Sequence, residues 1–261
     1  AMYHFRNFNN SKNDDEVDAY FLKKARKEVI ACDLAQKMMF RPENIDIKQK
    51  SENINTVYAE LAADGFSDSL YFFTAVLAED SLKTDFNANI YISGNNNEKS
   101  KMDTLINKQD YHAANPYFDE KSNRLYFTLS DDNTPPHIYF SENVNGNWSE
   151  PIKLSDKVNK KEYASTQPVV IHTDSISYII YSSDRPSSVG GYDLYFNSFV
   201  DDTAFSRAFN IGRRKPDNSR FSFLVDTSSV FNTPGNEITP FYNKPDSTLY
   251  FSSDWYAGMG E

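Results

Sequence analysis

One short strand motif recurs four times in this chain of 261 residues, and this recurrence limits the possible folds more than any other feature. Each copy centres on a tyrosine, and the copies lie 55, 52 and 72 residues apart. The tyrosines are Tyr71, Tyr126, Tyr178 and Tyr250, and the last three follow Pro116, Pro168 and Pro240 by ten residues. The first copy has Ala63 at a spacing of eight instead. Self-similarity at such a period is typical of a repeat architecture.

Two further motifs follow the tyrosine strand and extend the repeat to a four-stranded unit. A second strand motif surrounds Tyr91, Tyr139 and Tyr195, and a third motif spans 148–154 and again 205–211. We therefore predict an all-β fold, a β-propeller of four-stranded antiparallel blades, because adjacent blades cover the faces that a single blade leaves exposed. A β-sandwich is not expected to repeat one tyrosine four times.

The predicted propeller spans residues 44–261 and contains about four blades. Their expected bounds are 55–107, 110–156, 162–211 and 236–261, and the last of these contains only the first two strands. Residues 45–48 precede the first blade as residues 152–154 precede the third, so we expect them to form the outermost strand of the blade that closes the ring. Because a missing strand would leave an aggregation-prone edge, we expect further blades or strands to complete the ring.

Residues 1–43 are predicted to form a separate helical element, the end of a tetratricopeptide-like array or a cap. Acidic residues at 14–16 favour a helix start, and apolar residues then recur at spacings of three to four, which is typical of an amphipathic helix. Pro42 ends the helix. Cys32 falls on the apolar face, where we predict a buried structural thiol. A single cysteine excludes an internal disulfide and a cysteine-built zinc site.

The composition excludes two functional classes. The chain has 37 acidic and 27 basic residues and a net charge of -10, whereas a nucleic-acid-binding domain needs a basic face. The mean hydropathy is -0.65 and no apolar run approaches about 18 residues, so no transmembrane span is expected. The aromatic fraction of 15% is explained by the repeat, because wide rings fill the wedges between blades.

Two turn sequences carry a resemblance to a known family. Residues 182–195 read SSDRPSSVGGYDLY and residues 251–255 read FSSDW, and this pattern resembles the PD40 repeat of WD40-like, TolB-type propellers. Residues 31–35 and 53–60 look like the junction of a tetratricopeptide array with such a propeller. That junction occurs in periplasmic proteins of the type IX secretion or gliding apparatus, of the PorE and SprE/PorW kinds.

This resemblance implies a function and a location. It implies a non-catalytic scaffold for protein interaction, with protein partners in an outer-membrane or periplasmic complex and no cofactor. It also implies that the chain is periplasmic and associated with the outer membrane. In this interpretation the chain is not an enzyme.

The sequence lacks the common catalytic signatures, including a Gly-rich phosphate loop and His-Glu-x-x-His. The histidines, which do not have the spacing of a local metal pair, are His4, His112, His137 and His172. Glu60, Glu162 and Glu237 precede the first strands of their blades, but their repetition favours a structural role. We therefore predict no catalytic residue, cofactor or metal. The alternative is an extracytoplasmic carbohydrate-active or peptidase-associated propeller with a site at the channel mouth, where paired carboxyl groups hydrolyse glycosides.

Two acidic loops at 131–133 and 183–186 offer oxygen ligands. Carboxylates and carbonyls of this kind bind calcium. Asx-turns explain the same residues without a metal, and we favour that interpretation.

The segment from 212 to 234 departs most clearly from the repeat, because shorter connections join the other blades. Its basic and aromatic residues, which are candidates for binding a protein partner, are Arg213, Arg214, Lys215, Arg220, Phe221 and Phe223. A cationic patch with apolar anchors is typical of a docking loop. The alternative is an inter-blade loop that packs its own aromatic residues on the rim.

Overall fold

The computed structural model describes residues 1–10, 16–42, 44, 46, 48–67, 70–78, 86–94, 98–200, 204–211 and 231–258. Two helices, α1 (Met2–Asn9) and α2 (Glu16–Phe40), precede the strands. The strands are β1 (Ala59–Ser67), β2 (Leu70–Ala78), β3 (Phe86–Ser93), β4 (Lys99–Lys101), β5 (His112–Asp119), β6 (Arg124–Asp131), β7 (Thr134–Val144), β8 (Asn147–Trp148), β9 (Ile152–Lys153), β10 (Ser165–His172), β11 (Ser177–Ser183), β12 (Asp193–Phe199), β13 (Phe209–Asn210), β14 (Glu237–Asn243) and β15 (Thr248–Ser253).

The strands form successive antiparallel sheets, which we call blades one to four. Blade one has the order β1-β2-β3-β4 and blade three the order β10-β11-β12-β13. Blade two continues β5-β6-β7 with β8 and β9, which both pair with β7. Blade four contains β14 and β15. The prediction of a mainly β chain with four-stranded antiparallel sheets is confirmed, and this arrangement is consistent with a β-propeller.

Each blade begins with a strand that is interrupted at one equivalent position. The pairing of the first and second strands shifts there in every blade. The residues with positive φ at this bulge are Ala62, Asn115, Gln167 and Thr239, with φ between 51° and 57°. Positive φ is uncommon outside glycine, above all for a β-branched residue. Four occurrences at one position therefore mark a feature of the repeat, and the three prolines of the sequence repeat directly follow it.

The strand register differs from the sequence alignment of the four tyrosines. Tyr126 and Tyr250 lie opposite the residue that follows the bulge, but Phe72 and Ile180 occupy this position in blades one and three. The residue after the bulge and its partner in the second strand are eight residues apart in blade one, nine in blades two and four, and eleven in blade three. A change of one residue in this spacing moves a side chain to the other face of its sheet. Tyr71 is therefore not equivalent to Tyr126. Tyr178 lies two residues before Ile180, on the same face of β11.

The hydrophobic core lies between the blades. The largest cluster joins blades two and three and includes Ile138 and Ile180, both fully buried. A second cluster joins blades one and two, where the ring centroids of Phe72 and Phe118 lie 5.7 Å apart. A third cluster, around Phe73, contains residues of blade one and the turn before it. The blades are therefore joined mainly by apolar side chains, each worth about 1.5–3 kcal/mol when fully buried.

Helix α2 packs against the end of blade four. Ala25 is buried, and Lys27 Nζ lies 4.7 Å from the ring centroid of Trp255. Cys32 is only partly buried, contrary to the predicted buried thiol, because this contact covers one part of the helix surface and leaves Ile30 59% exposed. No helix in the described part of the chain is long and apolar enough to cross a membrane. Ile45 and Ile47 of the predicted closing strand lie outside the described residues.

Candidate functional site

The four bulges meet around one cavity of about 130 Å³, which we call the central cavity. Its lining consists of the same three positions from each blade: 62–64, 115–117, 167–169 and 239–241. Three of the four segments contribute a proline and an apolar or aromatic residue after it. The wall is therefore mostly apolar.

Asp64 breaks the symmetry of this cavity. Tyr117, Val169 and Phe241 occupy the equivalent positions of the other blades. The Asp64 carboxylate accepts a 2.7 Å hydrogen bond at Oδ2 from the backbone N–H of Phe118. Burial raises the pKa of Asp64 to about 6, although this hydrogen bond opposes the shift. A carboxyl group with this pKa exchanges protons at mildly acidic to neutral pH.

Neighbouring blades hold the bulges in place through side-chain hydrogen bonds. The backbone N–H of Asn115 donates to Thr74 Oγ1 at 2.9 Å, and that of Gln167 donates to Thr128 Oγ1 at 3.3 Å. The N–H of Thr239 donates to Gln167 Oε1 at 2.8 Å. Because the bulges of blades two, three and four are each anchored on the blade before them, these contacts fix most of the geometry of the cavity.

A second cavity of about 440 Å³, which we call the mouth cavity, lies between blades two, three and four. It shares Gln167 with the central cavity. The polar residues of its wall include Tyr192, Asn236 and Asp254. The Asp254 carboxylate accepts 2.7 Å hydrogen bonds from both the backbone and the side-chain N–H of Asn236. Burial raises the pKa of Tyr192, which therefore stays a neutral hydrogen-bonding group.

The repeated glutamates lie in structural positions. Glu60 accepts hydrogen bonds from the backbone N–H and the hydroxyl of Thr56. Glu237 makes the same pair of contacts with Thr233 and is fully buried. Glu162 is exposed. Two of the three carboxylates therefore fix the turn before a first strand, as their repetition indicated.

The histidines form no local metal group. His172 Nε2 lies 2.9 Å from both carboxylate oxygens of Asp119, and its Nδ1 lies 2.7 Å from Ser177 Oγ. Although burial opposes ionisation, hydrogen bonds from His172 and Ser122 lower the pKa of Asp119. This contact joins blade two to blade three. Within the described ranges, no three His, Cys, Asp or Glu side chains are grouped so as to hold a metal ion.

The aspartates of the two acidic loops accept hydrogen bonds from backbone N–H groups. Asp131 Oδ1 accepts hydrogen bonds from the backbone N–H groups of Asn133 and Thr134, which is an Asx-turn. Asp184 accepts a 2.7 Å hydrogen bond from the backbone N–H of Ala164. The predicted docking residues, which are Arg213, Arg214, Lys215, Arg220, Phe221 and Phe223, lie outside the described residues, and the docking loop stays a prediction.

Sequence reasoning did not single out Asp64. The available signal was the departure of the first copy from the repeat, since Ala63 replaces the proline and an acidic residue follows it. A charged residue where the other copies are apolar was the informative difference.

No family model and no curated protein match the chain. Several solved structures do match. An α-L-arabinofuranosidase from Lactobacillus brevis has a TM-score of 0.45 and 14% identity over 76% of this chain and 66% of its own. An endo-arabinase from Bacteroides thetaiotaomicron has a TM-score of 0.45 and 11% identity, and the match covers 74% of this chain and 69% of that structure. An α-L-arabinanase from Penicillium chrysogenum, complexed with arabinobiose, has a TM-score of 0.43 and 12% identity. This match covers 73% of this chain and 55% of that structure.

These matches correct the family assignment made from the sequence. The matched structures carry the names of arabinan-type glycoside hydrolases, and the assignment to PD40 proteins of a secretion or gliding apparatus was wrong. The non-catalytic scaffold function and the expectation that the chain is not an enzyme are corrected with it. The turn motif that suggested PD40 makes a structural contact within blade three, because Asp184 accepts a hydrogen bond from the backbone N–H of Ala164. The chain spans about two thirds or less of the length of two of these structures, and their activities belong to them.

Proposed function

We propose that the chain is a carbohydrate-active propeller that binds its ligand along the central and mouth cavities, with Asp64 as the proton-donating residue. The observation that carries this proposal is the single acidic side chain of the cavity wall, at the position that Tyr117, Val169 and Phe241 occupy in the other blades. A residue that serves the repeat occurs in every copy, whereas catalysis needs a position that differs. Asp64 is such a position.

The raised pKa of Asp64 suits acid catalysis. Glycoside cleavage requires a carboxylic acid that protonates the departing oxygen, and its pKa must lie near the working pH. With a pKa of about 6, Asp64 keeps a large protonated fraction at mildly acidic pH, whereas an ordinary aspartate is ionised there. The apolar wall beside it limits access of water, which strengthens electrostatic interactions within the site.

The mouth cavity provides the polar contacts that sugar hydroxyls need. Tyr192, Asn236 and Gln167 supply neutral donors and acceptors, and Asp254 supplies a carboxylate whose orientation Asn236 fixes. Phe241 and the prolines of the central cavity offer apolar surface. A few fixed polar groups on an apolar wall are typical of ligand pockets.

The test uses a panel of neutral oligosaccharides, arabino-oligosaccharides among them. Binding is measured by calorimetry, and hydrolysis by the release of reducing ends at pH 5 to 7. We expect saturable binding of at least one sugar and hydrolysis that Asp64→Asn reduces by about 100-fold or more while binding persists. Asp174→Asn is the matched control, because Asp174 is an exposed turn residue. The absence of binding across the panel, or full activity in Asp64→Asn, would contradict the proposal.

A further inference from the structure

A hydroxyl side chain occupies the same position in the second strand of every blade. In each blade this residue pairs with the residue directly before the bulge, and it lies two residues after the partner of the residue that follows the bulge. We call these residues the repeat hydroxyls. They are Thr74, Thr128, Ser182 and Ser252. A hydroxyl group at one position in four copies indicates a function in the repeat itself.

The repeat hydroxyls of blades one and two each hold the bulge of the next blade. Thr74 Oγ1 accepts the hydrogen bond from the N–H of Asn115, and Thr128 Oγ1 accepts that from the N–H of Gln167. A bulge leaves a backbone group out of the strand ladder, and a buried N–H then needs a partner elsewhere. By the same pattern, Ser182 of blade three is expected to accept the hydrogen bond from the bulge of blade four.

The bulge of blade four uses a different acceptor. The N–H of Thr239 donates at 2.8 Å to the side-chain Oε1 of Gln167. The Ser182 hydroxyl is fully buried and has no hydrogen-bond partner within the described part of the chain. Strand β14 packs on β10 and β11 as β5 packs on β1 and β2, so the strands of this junction are arranged as in the first one. The departure from the pattern therefore lies in the side chains.

The length of the Gln167 side chain explains this departure. The equivalent residue of blade two is Asn115, whose Nδ2 lies 3.1 Å from Thr166 Oγ1, and it leaves the bulge N–H of the next blade to Thr128. Glutamine is one methylene longer, and its amide reaches the backbone N–H of the next blade. The amide of Gln167 has therefore taken the place of the Ser182 hydroxyl.

Gln167 also lies where the two cavities of the candidate site meet. Among the described lining residues, it is the one that the central cavity and the mouth cavity share. Its amide joins blades three and four at this point through the bond to Thr239. A ligand that extends from the mouth cavity to Asp64 must pass this side chain.

We propose that Gln167 is a latch that determines which sugar chains reach Asp64 from the mouth cavity. In the closed state its Oε1 accepts the hydrogen bond from the Thr239 N–H, as in this structure. In the open state the Gln167 amide bonds to the sugar, and Ser182 Oγ accepts the Thr239 N–H instead. The exchange leaves no backbone group unsatisfied and gives the buried hydroxyl a partner. A sugar that bonds to the amide only in the open state shifts the population toward that state. The part of this inference that concerns the sugar rests on the proposed function, whereas the exchange of acceptors does not.

The first experiment measures amide hydrogen exchange at Thr239 by NMR on the whole chain without ligand. Gln167→Ala removes the acceptor of the closed state, and alanine fits this bulge because Ala62 occupies it in blade one with a φ of 51°. We expect the Thr239 N–H to stay protected in this variant, since Ser182 accepts its hydrogen bond. In Gln167→Ala combined with Ser182→Ala, exchange at Thr239 is expected to be at least about 10-fold faster than in Gln167→Ala.

Two further variants check this result. Gln167→Asn has the side-chain length of Asn115 and is expected to leave Thr239 protected as Gln167→Ala does. Ser182→Ala alone is the matched control, because the Thr239 N–H keeps its bond to Gln167. Exchange at the fully buried Ile180 of β11 is read in the same spectra. Unchanged exchange there shows that faster exchange at Thr239 does not come from unfolding.

The second experiment measures by calorimetry the binding of the sugar from the panel that the unaltered chain binds. Ser182→Ala removes the acceptor that the open state needs, so we expect it to weaken binding by about 10-fold although the Ser182 hydroxyl is buried from solvent. Ser175→Ala is the matched control, because Ser175 is exposed in a turn of the same blade. A merely structural residue would not change the affinity at an unchanged melting temperature.

Two results would overturn the inference. The first is equally fast exchange at Thr239 in Gln167→Ala and in the double variant, and the second is an unchanged sugar affinity in Ser182→Ala. If no sugar binds, the proposed function fails, whereas the first experiment still decides whether the N–H changes its acceptor. The two failures can therefore be distinguished.

Discussion

The turn at Asn159, between blades two and three, and the turn at Asn55, before blade one, have the same backbone bonds but differ in what their asparagine side chains contact. At the junction, Asn159 is fully buried and makes three hydrogen bonds to blade two. Asn55 keeps the turn and donates from Nδ2 to Lys50 O, five residues back, as Asn159 does to Leu154 O, but it is only partly buried. Within the described residues, the turn at Asn55 therefore forms without contact to a third strand, whereas the burial of Asn159 and its bonds to Ile138 come from blade two. In a repeat protein of this kind, much of the stability resides in such interfaces.

The largest expected effect separates these two asparagines. Asn159→Ala removes the acceptor of the buried Ile138 N–H and two bonds donated to the carbonyls of Ile138 and Leu154, and we expect it to lower the free energy of unfolding by about 2–4 kcal/mol. Asn55→Ala removes one bond from a partly exposed site, and we expect a loss of about 0.5 kcal/mol. Urea unfolding followed by circular dichroism measures both values. Equal losses would remove the distinction between the two turns.

A smaller effect is expected at the second contact of the same junction, between His172 and Asp119. Removal of the imidazole in His172→Ala leaves the Asp119 carboxylate buried with fewer donors, so we expect a loss of about 1–3 kcal/mol at pH 7. The lowered pKa of Asp119 stabilises the fold above the unfolded-state value near pH 4 and ceases to do so as the pH falls through the folded value.

The difference between His172→Ala and the unaltered chain should therefore narrow below about pH 4. Thermal melting between pH 3 and pH 7 measures this difference. His4→Ala is the control, because His4 is exposed in α1. A gap that stays constant over this range would show that the charge of Asp119 is not involved.

The smallest change in stability is expected at Asp64. This carboxyl group of blade one lies at the position that Val169 occupies in blade three. A raised pKa means that the folded chain binds the proton more tightly than the unfolded chain, so ionisation destabilises the fold as the pH rises from about 4 through 6. Asp64→Asn keeps an acceptor for the Phe118 N–H and removes the charge. We expect it to increase stability by on the order of 1 kcal/mol at pH 7.5 and to have little effect at pH 4. A loss of stability at pH 7.5 would contradict the burial of an ionisable Asp64.

The repeat could be predicted from the sequence, but its exact alignment could not. The spacing of Tyr126 and Tyr250 identified the blades, because strands of one repeat share their side-chain pattern. Tyr71 was misaligned with Tyr126, since turn length sets the register of a hairpin and the turns differ between blades. The tyrosines of the third strands, Tyr91 and Tyr139, do lie at equivalent positions.

The candidate site and the buried asparagines between the blades were harder to predict from the sequence. Asn107 and Asn159 lie in connections between blades, where asparagine is also common for reasons of turn geometry alone. Their function depends on a strand about 17 to 21 residues earlier in the chain, as the contacts with Ile90 and Ile138 show. The importance of Asp64 likewise depends on the burial that four separate strands create around it.

The central claim is that a partly protonated carboxyl group of Asp64 stands in a ligand-binding cavity. The most direct test is a ¹³C NMR titration of the Asp64 side-chain carboxyl group, recorded without ligand and with each oligosaccharide of the panel at saturation. The account predicts a midpoint near pH 6 in the free chain and a displaced midpoint with the sugar that binds. A midpoint near the ordinary value of about 4, unchanged by every sugar, would contradict it.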